Sequence, residues 1–332
     1  MAVRAGVSLR YFVARRAINA IPVVIGILVF VFFLIELAPG DPVYMLIGEG
    51  GATEELITAY RHEFGLDKPL AERFMIFLWQ TAQLNFGYST AYRTPVSKII
   101  LDRLPNTVML TVTAFVISVI VGIALGAYSA SRPFSTRDTA IMSVSLIGYS
   151  IPGFWLGQLL VLALASSLGW FPVQGIMSMK TLGDPLSWNT VLDVAHHMVL
   201  PTIALATYLI ALIARMTRVR MLEAMCENYV VTARMKGLPE RVVFIRHGLR
   251  NALLPVITVI ALQFGYQIIG GSVIIETVFS WPGLGRLVYD AILSRDIPII
   301  TGVFFLLSLS VVIVNLVADI LYACFDPRIR YR

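Results

Sequence analysis

Residues 105–131 have the sequence PNTVMLTVTAFVISVIVGIALGAYSAS, and these 27 residues include no Asp, Glu, Lys or Arg. A helix of about 20 apolar residues is long enough to cross the hydrocarbon core of a bilayer. Five further runs share this uncharged character, and they lie at 17–35, 139–179, 194–214, 251–275 and 297–318. The sequence therefore predicts an all-α, polytopic integral membrane protein with six transmembrane helices.

The composition of the chain supports this class. Of its 332 residues 58% are hydrophobic and only 14% are charged, whereas a soluble domain carries roughly 25% charged residues. These values exclude a soluble globular fold, disorder and fibrous repeats. Two cysteines, Cys226 and Cys324, are too few for a disulfide framework. The net charge of +6 reports membrane topology and gives no indication of nucleic-acid binding.

The distribution of basic residues predicts the orientation. With six spans and an inside amino terminus, 17 of the 26 Lys and Arg residues fall on the cytoplasmic side. This count treats 139–179 as one span followed by a partly apolar loop, because Leu168-Gly169-Trp170-Phe171-Pro172 is typical of a helix end at an aromatic interface. Both termini are therefore expected on the cytoplasmic side of the membrane.

The long segment 38–104 after the first span is expected outside the membrane, and amphipathic helices are predicted in it. Thr53 is suited to cap a helix that begins at Glu54, and Pro69 is suited to open a second. The apolar face of this second helix comprises Leu70, Phe74, Phe77, Leu78 and Thr81. We expect it to lie along the membrane or against neighbouring spans.

The sequence lacks the motifs that ATP binding and catalysis require. An ATP-binding loop requires Gly-Lys-Ser or Gly-Lys-Thr, and none of the four lysines follows a glycine. No catalytic residue, cofactor site or metal site is predicted, since the adjacent pair His196-His197 alone is too weak a metal signal. The chain is thus expected to be neither an enzyme nor self-powered. A secondary transporter or channel remains an alternative, although it would favour ionisable residues at the middle of spans.

Four amides lie within the predicted spans, at Gln158, Gln263, Gln267 and Asn315. A lipid-facing amide would be unsatisfied, so these groups either form hydrogen bonds between helices or line a water-filled path. Both interpretations stay open at this point. Gly122 and Gly126 form a small-x-x-x-small pair that predicts close helix packing.

The cytoplasmic loop 218–250 alternates basic and apolar residues, which predicts two short amphipathic helices. The first is expected to end at Gly237, because glycine adopts the left-handed cap and Pro239 prevents continuation. The second is expected to start at Pro239 and Glu240. The loop is either a linker on the membrane surface or a rigid docking element for a cytosolic partner.

The segments 232–238 (TARMKGL) and 246–255 (RHGLRNALLP) resemble the cytoplasmic coupling loop of ABC-importer permeases of the dipeptide, oligopeptide and nickel group. Val231-Thr232-Ala233 stands where the wider importer pattern has Glu-Ala-Ala, and this departure is itself similar to the peptide group. The long segment after the first span resembles the first of the two permeases of such systems. Further similar segments lie at 38–42, 66–70, 103–107, 150–152, 197–202, 276–286 and 326–330.

The resemblance implies that residues 1–332 form one permease domain and half of a translocation path that works by alternating access. It implies a second homologous permease, two cytosolic ABC ATPases that hold the ATP and magnesium, and an extracytoplasmic substrate-binding protein. The transported solute is expected to be a di- or oligopeptide, with nickel, glutathione or another small solute as alternatives. The expected ATPase-docking residues are Thr232, Ala233, Arg234, Lys236, Gly237, Leu238 and Glu240.

Overall fold

The computed structural model describes residues 9–37, 54, 58, 67–179, 181, 187–266 and 272–325. Helices dominate this part of the chain, and no β-strand occurs in it. The helices are α1 Leu9–Glu36, α2 Leu70–Ala82, α3 Val96–Ala130, α4 Thr136–Ser150, α5 Gly153–Leu160, α6 Trp188–Met225, α7 Asn228–Met235, α8 Glu240–Val242, α9 Arg250–Tyr266, α10 Ser272–Val278, α11 Leu284–Ser294 and α12 Ile297–Phe325. π-Helical segments at Val161–Ser167 and Val243–Leu249 continue α5 and join α8 to α9.

Several of these helices are long and apolar enough to cross a membrane. Among the described residues they are Val96–Ala130, Trp188–Met225, Glu240–Phe264 and Ile297–Val314, and a bent helix pair raises their number from four to five. A shorter apolar stretch, Ile21–Phe33, lies within α1. The multi-pass helical class is confirmed, while the count of six and the position of both termini stay predictions.

The region 139–179 differs from the expected single span followed by a loop. Its helix breaks between α4 and α5, which meet at an angle of 102°. Ile151 is extended, with ψ at 125°, because the ring of Pro152 excludes the preceding residue from the helical region and Pro152 has no N–H to donate. The chain leaves helical structure after Ser167, and Gly169 has a φ of +65°. The predicted loop is therefore present, but it follows a bent pair of helices.

Helix α6 is the centre of the packing, with α3, α4, α5 and α9 against it. The predicted small-residue pair on α3 is confirmed, because Gly122 and Gly126 both face α6. A Cβ at Gly122 would lie 2.7 Å from Cβ of Ile213, and one at Gly126 would collide with the carbonyl of Ala214. Close contact between the two helix backbones follows from these glycines.

Helix α2 begins after Pro69, as predicted, and packs against α1. The ring of Phe32 lies 5.2 Å from that of Phe74 and 5.6 Å from that of Phe77. Thr81 is buried, as its place on the apolar face implies, whereas Leu70 at the first turn is exposed. The expected cap at Thr53 lies outside the described residues.

The prediction of two separate short helices in 218–250 is right for the first and wrong for the second. Helix α7 is a separate two-turn helix, but the segment from Glu240 runs without a break into α9. Helix α6 also extends as far as Met225, so it occupies the first part of this region. Residues 226–240, from the end of α6 to the first residue of α8, form a compact unit that is called the α7 hairpin below.

Candidate functional site

Helix α7 ends in a complete glycine cap. Gly237 has a φ of +73° and donates its N–H to the carbonyl of Arg234 at 2.9 Å, while Leu238 donates to the carbonyl of Ala233 at 3.4 Å. These two bonds form a Schellman motif, in which the left-handed residue is normally glycine. Apart from the adjoining chain, no described residue lies within 4 Å of where a Cβ of Gly237 would be, so backbone conformation and not packing requires glycine there. The cap predicted from the sequence is confirmed.

An ion pair spans the turn that Gly237 makes. The guanidinium of Arg234 donates two hydrogen bonds to the carboxylate of Glu240, at 2.6 Å to Oε1 and 3.1 Å to Oε2. The hydrogen bonds from Arg234 lower the pKa of Glu240 below its ordinary value. Since both side chains face solvent, the pair holds α7 and α8 at a fixed angle and contributes little to overall stability.

The two faces of α7 differ sharply. Val230 and Ala233 are buried against Val243 and Met225, which fixes α7 on the end of α6. On the opposite face Val231 is 47% exposed and Met235 is 84% exposed. Val231 and Met235 are four residues apart and therefore lie side by side on the helix surface. This small apolar patch with Arg234 and Lys236 beside it is suited to contact another protein.

The structure thus assigns different places to the predicted docking residues. Six of them, Thr232, Arg234, Lys236, Gly237, Leu238 and Glu240, are exposed on the α7 hairpin, whereas Ala233 points inward. Sequence reasoning did not single out Val231 and Met235 as surface residues. Their i, i+4 spacing, set opposite Val230 and Ala233, is the signal that distinguishes the two faces.

A second ion pair supports the same end of α6. Arg218 donates to Asp138 at 2.6 Å and 2.7 Å, and Asp138 also accepts hydrogen bonds from the Ser129 hydroxyl and, at 2.8 Å, from the Phe134 N–H. The carboxylate thereby joins α6 to the turn between α3 and α4. The sequence placed Arg218 only in a count of basic residues.

A buried carboxylate joins α3, α10 and α11 elsewhere in the molecule. Glu276 is completely buried, and its Oε1 accepts a hydrogen bond from Thr107 at 2.8 Å while Oε2 accepts one from the Arg286 N–H at 3.1 Å. Thr107 in turn accepts from the Leu284 N–H at 2.7 Å. Glu276 directly follows the apolar run 251–275 and is buried within the protein. The segments 103–107 and 276–286, which both resemble segments of ABC-importer permeases, contact each other in this cluster.

The predicted path residues lie on different helices. Gln158 is exposed on α5 and Gln263 is half-buried on α9. Gln267 lies outside the described residues, and Asn315 belongs to α12 but its side chain lies outside them as well. A groove of about 630 Å³ between α3 and α6 is lined by neither described glutamine. It contains the buried Thr202, whose hydroxyl has no hydrogen-bond partner among the described residues. The path role of the four amides stays a prediction.

Two family models cover most of the chain. The amino-terminal membrane component of binding-protein-dependent transport systems matches residues 9–111, and the inner membrane component of these systems matches residues 122–331. The chain belongs to this family. The family consists of membrane components, and residues 122–331 include the α7 hairpin and the Glu276 cluster.

Curated relatives resemble the chain along nearly its whole length. The oligopeptide transport system permease protein AppB of Bacillus subtilis is 39% identical and covers 96% of this chain and 99% of its own. The di/tripeptide transport system permease protein DppB of Pseudomonas aeruginosa is 42% identical over 97% of this chain and 99% of its own. The dipeptide permease DppB of Escherichia coli is 39% identical, with coverage of 97% and 99%.

A solved structure shares the helical arrangement of this family member. An inward-facing crystal form of the MetNI methionine ABC transporter aligns with a TM-score of 0.54 at 16% identity. The alignment covers 69% of this chain and 96% of the solved chain. At this identity the likeness shows the fold alone.

Proposed function

We propose that this chain is the first of two homologous permeases of an ABC importer for peptides, and that it forms half of the translocation path. Relatives named for oligopeptides, dipeptides and di/tripeptides support the solute class. Six spans place both termini in the cytoplasm and residues 38–104 outside the inner membrane of a prokaryote. An extracytoplasmic binding protein delivers the peptide, and ATP and magnesium are held by two cytosolic ATPases.

The observation that carries the proposal is the α7 hairpin, a capped helix fixed on the end of α6 with an apolar patch left on its outer face. The ATPases bind this outer face through Thr232, Arg234, Lys236, Leu238 and Glu240, together with Val231 and Met235. Ala233 acts from the inner face, where it contacts the core of the hairpin. Because a capped helix moves as a unit, closure of the ATPases displaces α6 and shifts the path between inward and outward access.

Site-directed cross-linking tests the docking role. In a background with Cys226→Ser and Cys324→Ser, Met235→Cys labelled with a maleimide–benzophenone is expected to photo-cross-link to the ATPase in membranes. Tyr88→Cys is the matched control, because Tyr88 is 69% exposed but belongs to the segment proposed to lie outside. A link from position 88 to the ATPase, or none from position 235, would contradict the proposed orientation.

Reconstitution tests the transport class and the solute. Proteoliposomes that contain both permeases and both ATPases are expected to import labelled trialanine only with ATP and the binding protein. Vesicles with this chain alone are expected to import none. Uptake by the single chain without nucleotide would favour a secondary transporter or channel, and import of nickel or glutathione but no peptide would exclude the peptide assignment.

A further inference from the structure

Arg215 is the first charged residue after the apolar run 194–214 of α6, and its side chain is exposed. Its guanidinium carbon lies 4.9 Å from the ring centroid of Tyr149 on α4. The ring of Tyr149 is stacked on that of Tyr208, with centroids 5.0 Å apart and planes at 22°. A cation, two aromatic faces and the adjoining surfaces of α4 and α6 therefore form one accessible cluster.

The cluster depends on close contact between α4 and α6. A Cβ at Gly148 would lie 3.0 Å from Cγ2 of Thr207 and 4.0 Å from Cβ of Ala211. Gly148 is thus level with Thr207 and Ala211 on α6, and Tyr149 follows it directly. Arg215 is one turn beyond Ala211 on α6, and its guanidinium lies over the ring of Tyr149.

The position of this guanidinium distinguishes a path from a lipid surface. An arginine at the end of a span that faces lipid extends its side chain away from the hydrocarbon, towards the headgroups. The guanidinium of Arg215 instead lies over the ring of Tyr149, a residue of the uncharged run 139–179. A guanidinium in that position requires water or a polar ligand, since lipid tails offer neither. The exposed surface of Tyr149, Tyr208 and Arg215 therefore borders a water-filled space.

The charge of Arg215 is uncompensated within the described part of the chain, where no carboxylate lies within 4 Å of it. The neighbouring Arg218 is paired with Asp138, and Arg220 on the following turn is paired with Glu223. Arg215 alone among these three contacts only an aromatic ring. A guanidinium with free donors is suited to bind a carboxylate, and the stacked rings of Tyr149 and Tyr208 support the guanidinium in its position.

We propose that Arg215, with Tyr149 and Tyr208, binds the carboxyl-terminal carboxylate of a peptide during its passage through the permease. The inference rests on the proposed peptide-import function. It assigns to α6 a contact that depends on the free carboxylate of the solute and is indifferent to its side chains. Such a contact suits a carrier for many peptides.

The test compares two solutes that differ only at the carboxyl terminus. Complete complexes with wild-type permease, Arg215→Gln or Arg220→Gln are reconstituted with one binding protein, and uptake of trialanine and trialaninamide is measured. Because the binding protein is the same in every sample, its own preference cancels in the ratio of wild type to variant. Arg220→Gln is the matched control, since Arg220 is a partly exposed arginine of the same helix that has a carboxylate partner.

We expect Arg215→Gln to lower uptake of trialanine by about tenfold or more and uptake of trialaninamide by less than twofold. Arg220→Gln is expected to leave both rates within twofold of the wild type. ATP hydrolysis stimulated by the binding protein should persist in all three complexes. Arg215→Lys keeps the charge but loses the paired donors, and trialanine uptake is expected between the wild-type and Arg215→Gln values.

Each other result overturns the inference. Equal losses for both peptides, with or without loss of ATP hydrolysis, would assign Arg215 to assembly or coupling. Losses that appear only in vesicles with phosphatidylglycerol, and not in pure phosphatidylcholine, would assign it to a lipid headgroup. No loss for either peptide would remove it from the path. If the wild-type complex imports neither peptide, the proposed function itself fails, which is a distinguishable outcome.

Discussion

The α7 hairpin and the Glu276 cluster each contain a glycine close to a glutamate, and the two glycines are required for different reasons. Gly237 has a left-handed backbone and open space around it, and the nearby Glu240 faces solvent. Gly285 lies in the first turn of α11, where a Cβ would be 2.5 Å from Cα of Val273 and 2.9 Å from Oε2 of the buried Glu276. The first glycine is required by conformation and the second by volume. The turn of the hairpin is therefore determined by backbone conformation, whereas the Glu276 cluster is locked by packing.

The largest expected effect is on the locked cluster. In Gly285→Ala the new methyl group collides with the backbone of Val273, so α10 and α11 have to move apart. Overpacking of this kind lowers the free energy of unfolding by about 3 kcal/mol. We expect a lower thermal unfolding midpoint of the detergent-purified chain and little folded protein in the membrane. Gly26→Ala on α1 is the matched control, because nothing lies within 4 Å of a Cβ there. An unchanged midpoint for Gly285→Ala would contradict the packing.

The second-largest effect is expected for Thr107→Val. It leaves the buried Leu284 N–H without an acceptor and removes a donor from Glu276, which costs about 1–3 kcal/mol. The unfolding midpoint should fall, and Thr107→Ser should recover most of it because the hydroxyl returns. If valine and serine behave alike, the loss comes from shape and not from hydrogen bonds.

In the α7 hairpin, a substitution at Gly237 is expected to reduce peptide uptake and to leave assembly of the complex intact. Gly237→Val places a β-branched residue in a left-handed conformation, which costs about 1–2 kcal/mol of local strain, or roughly tenfold in the population of the capped turn. We expect peptide uptake to fall by about that factor while the complex still assembles, as judged by co-purification of the ATPases. Gly169→Val, at a φ of +65° with no neighbour within 4 Å, is the control. Normal uptake by Gly237→Val would refute the docking role.

The smallest effect is a pH dependence of the same turn. Arg234 lowers the pKa of Glu240 in the folded chain, so the pair stabilises the turn above the ordinary pKa of glutamate, and this contribution is lost as the pH falls through the lowered value. Hydrogen exchange at the Leu238 amide should be equally protected at pH 7 and pH 5 and less protected in stronger acid. Glu240→Gln should abolish the pH dependence. A loss of protection near neutral pH would point to another group.

Local signals carried most of what the sequence predicted correctly. The start of α2 at Pro69 and the end of α7 at Gly237 each depend on residues within one turn, and both are confirmed. Proline shows where this approach fails. Pro152 separates two helices, whereas Pro201 lies inside α6, because surrounding helices and not neighbouring residues decide the outcome.

Contacts between distant residues were beyond prediction. Asp138 and Arg218 are 80 residues apart, and Thr107 and Glu276 are 169 apart. Arg218 stands at the start of the predicted cytoplasmic loop 218–250 with no indication of its partner, and no sequence pattern indicates a role for Glu276. A single sequence does not reveal which helices meet, so burial of such groups becomes visible only with the fold.

Helix α6 runs for 38 residues, about 57 Å, from Trp188 to the α7 hairpin. In the proposed transport cycle, a helix of that length connects the ATPase-docking end to the opposite side of the membrane. A tilt at one end is then transmitted to the other, so the inner and outer openings of the path alternate and do not open together. In the proposed cycle, this alternation limits the leakage of ions through the membrane.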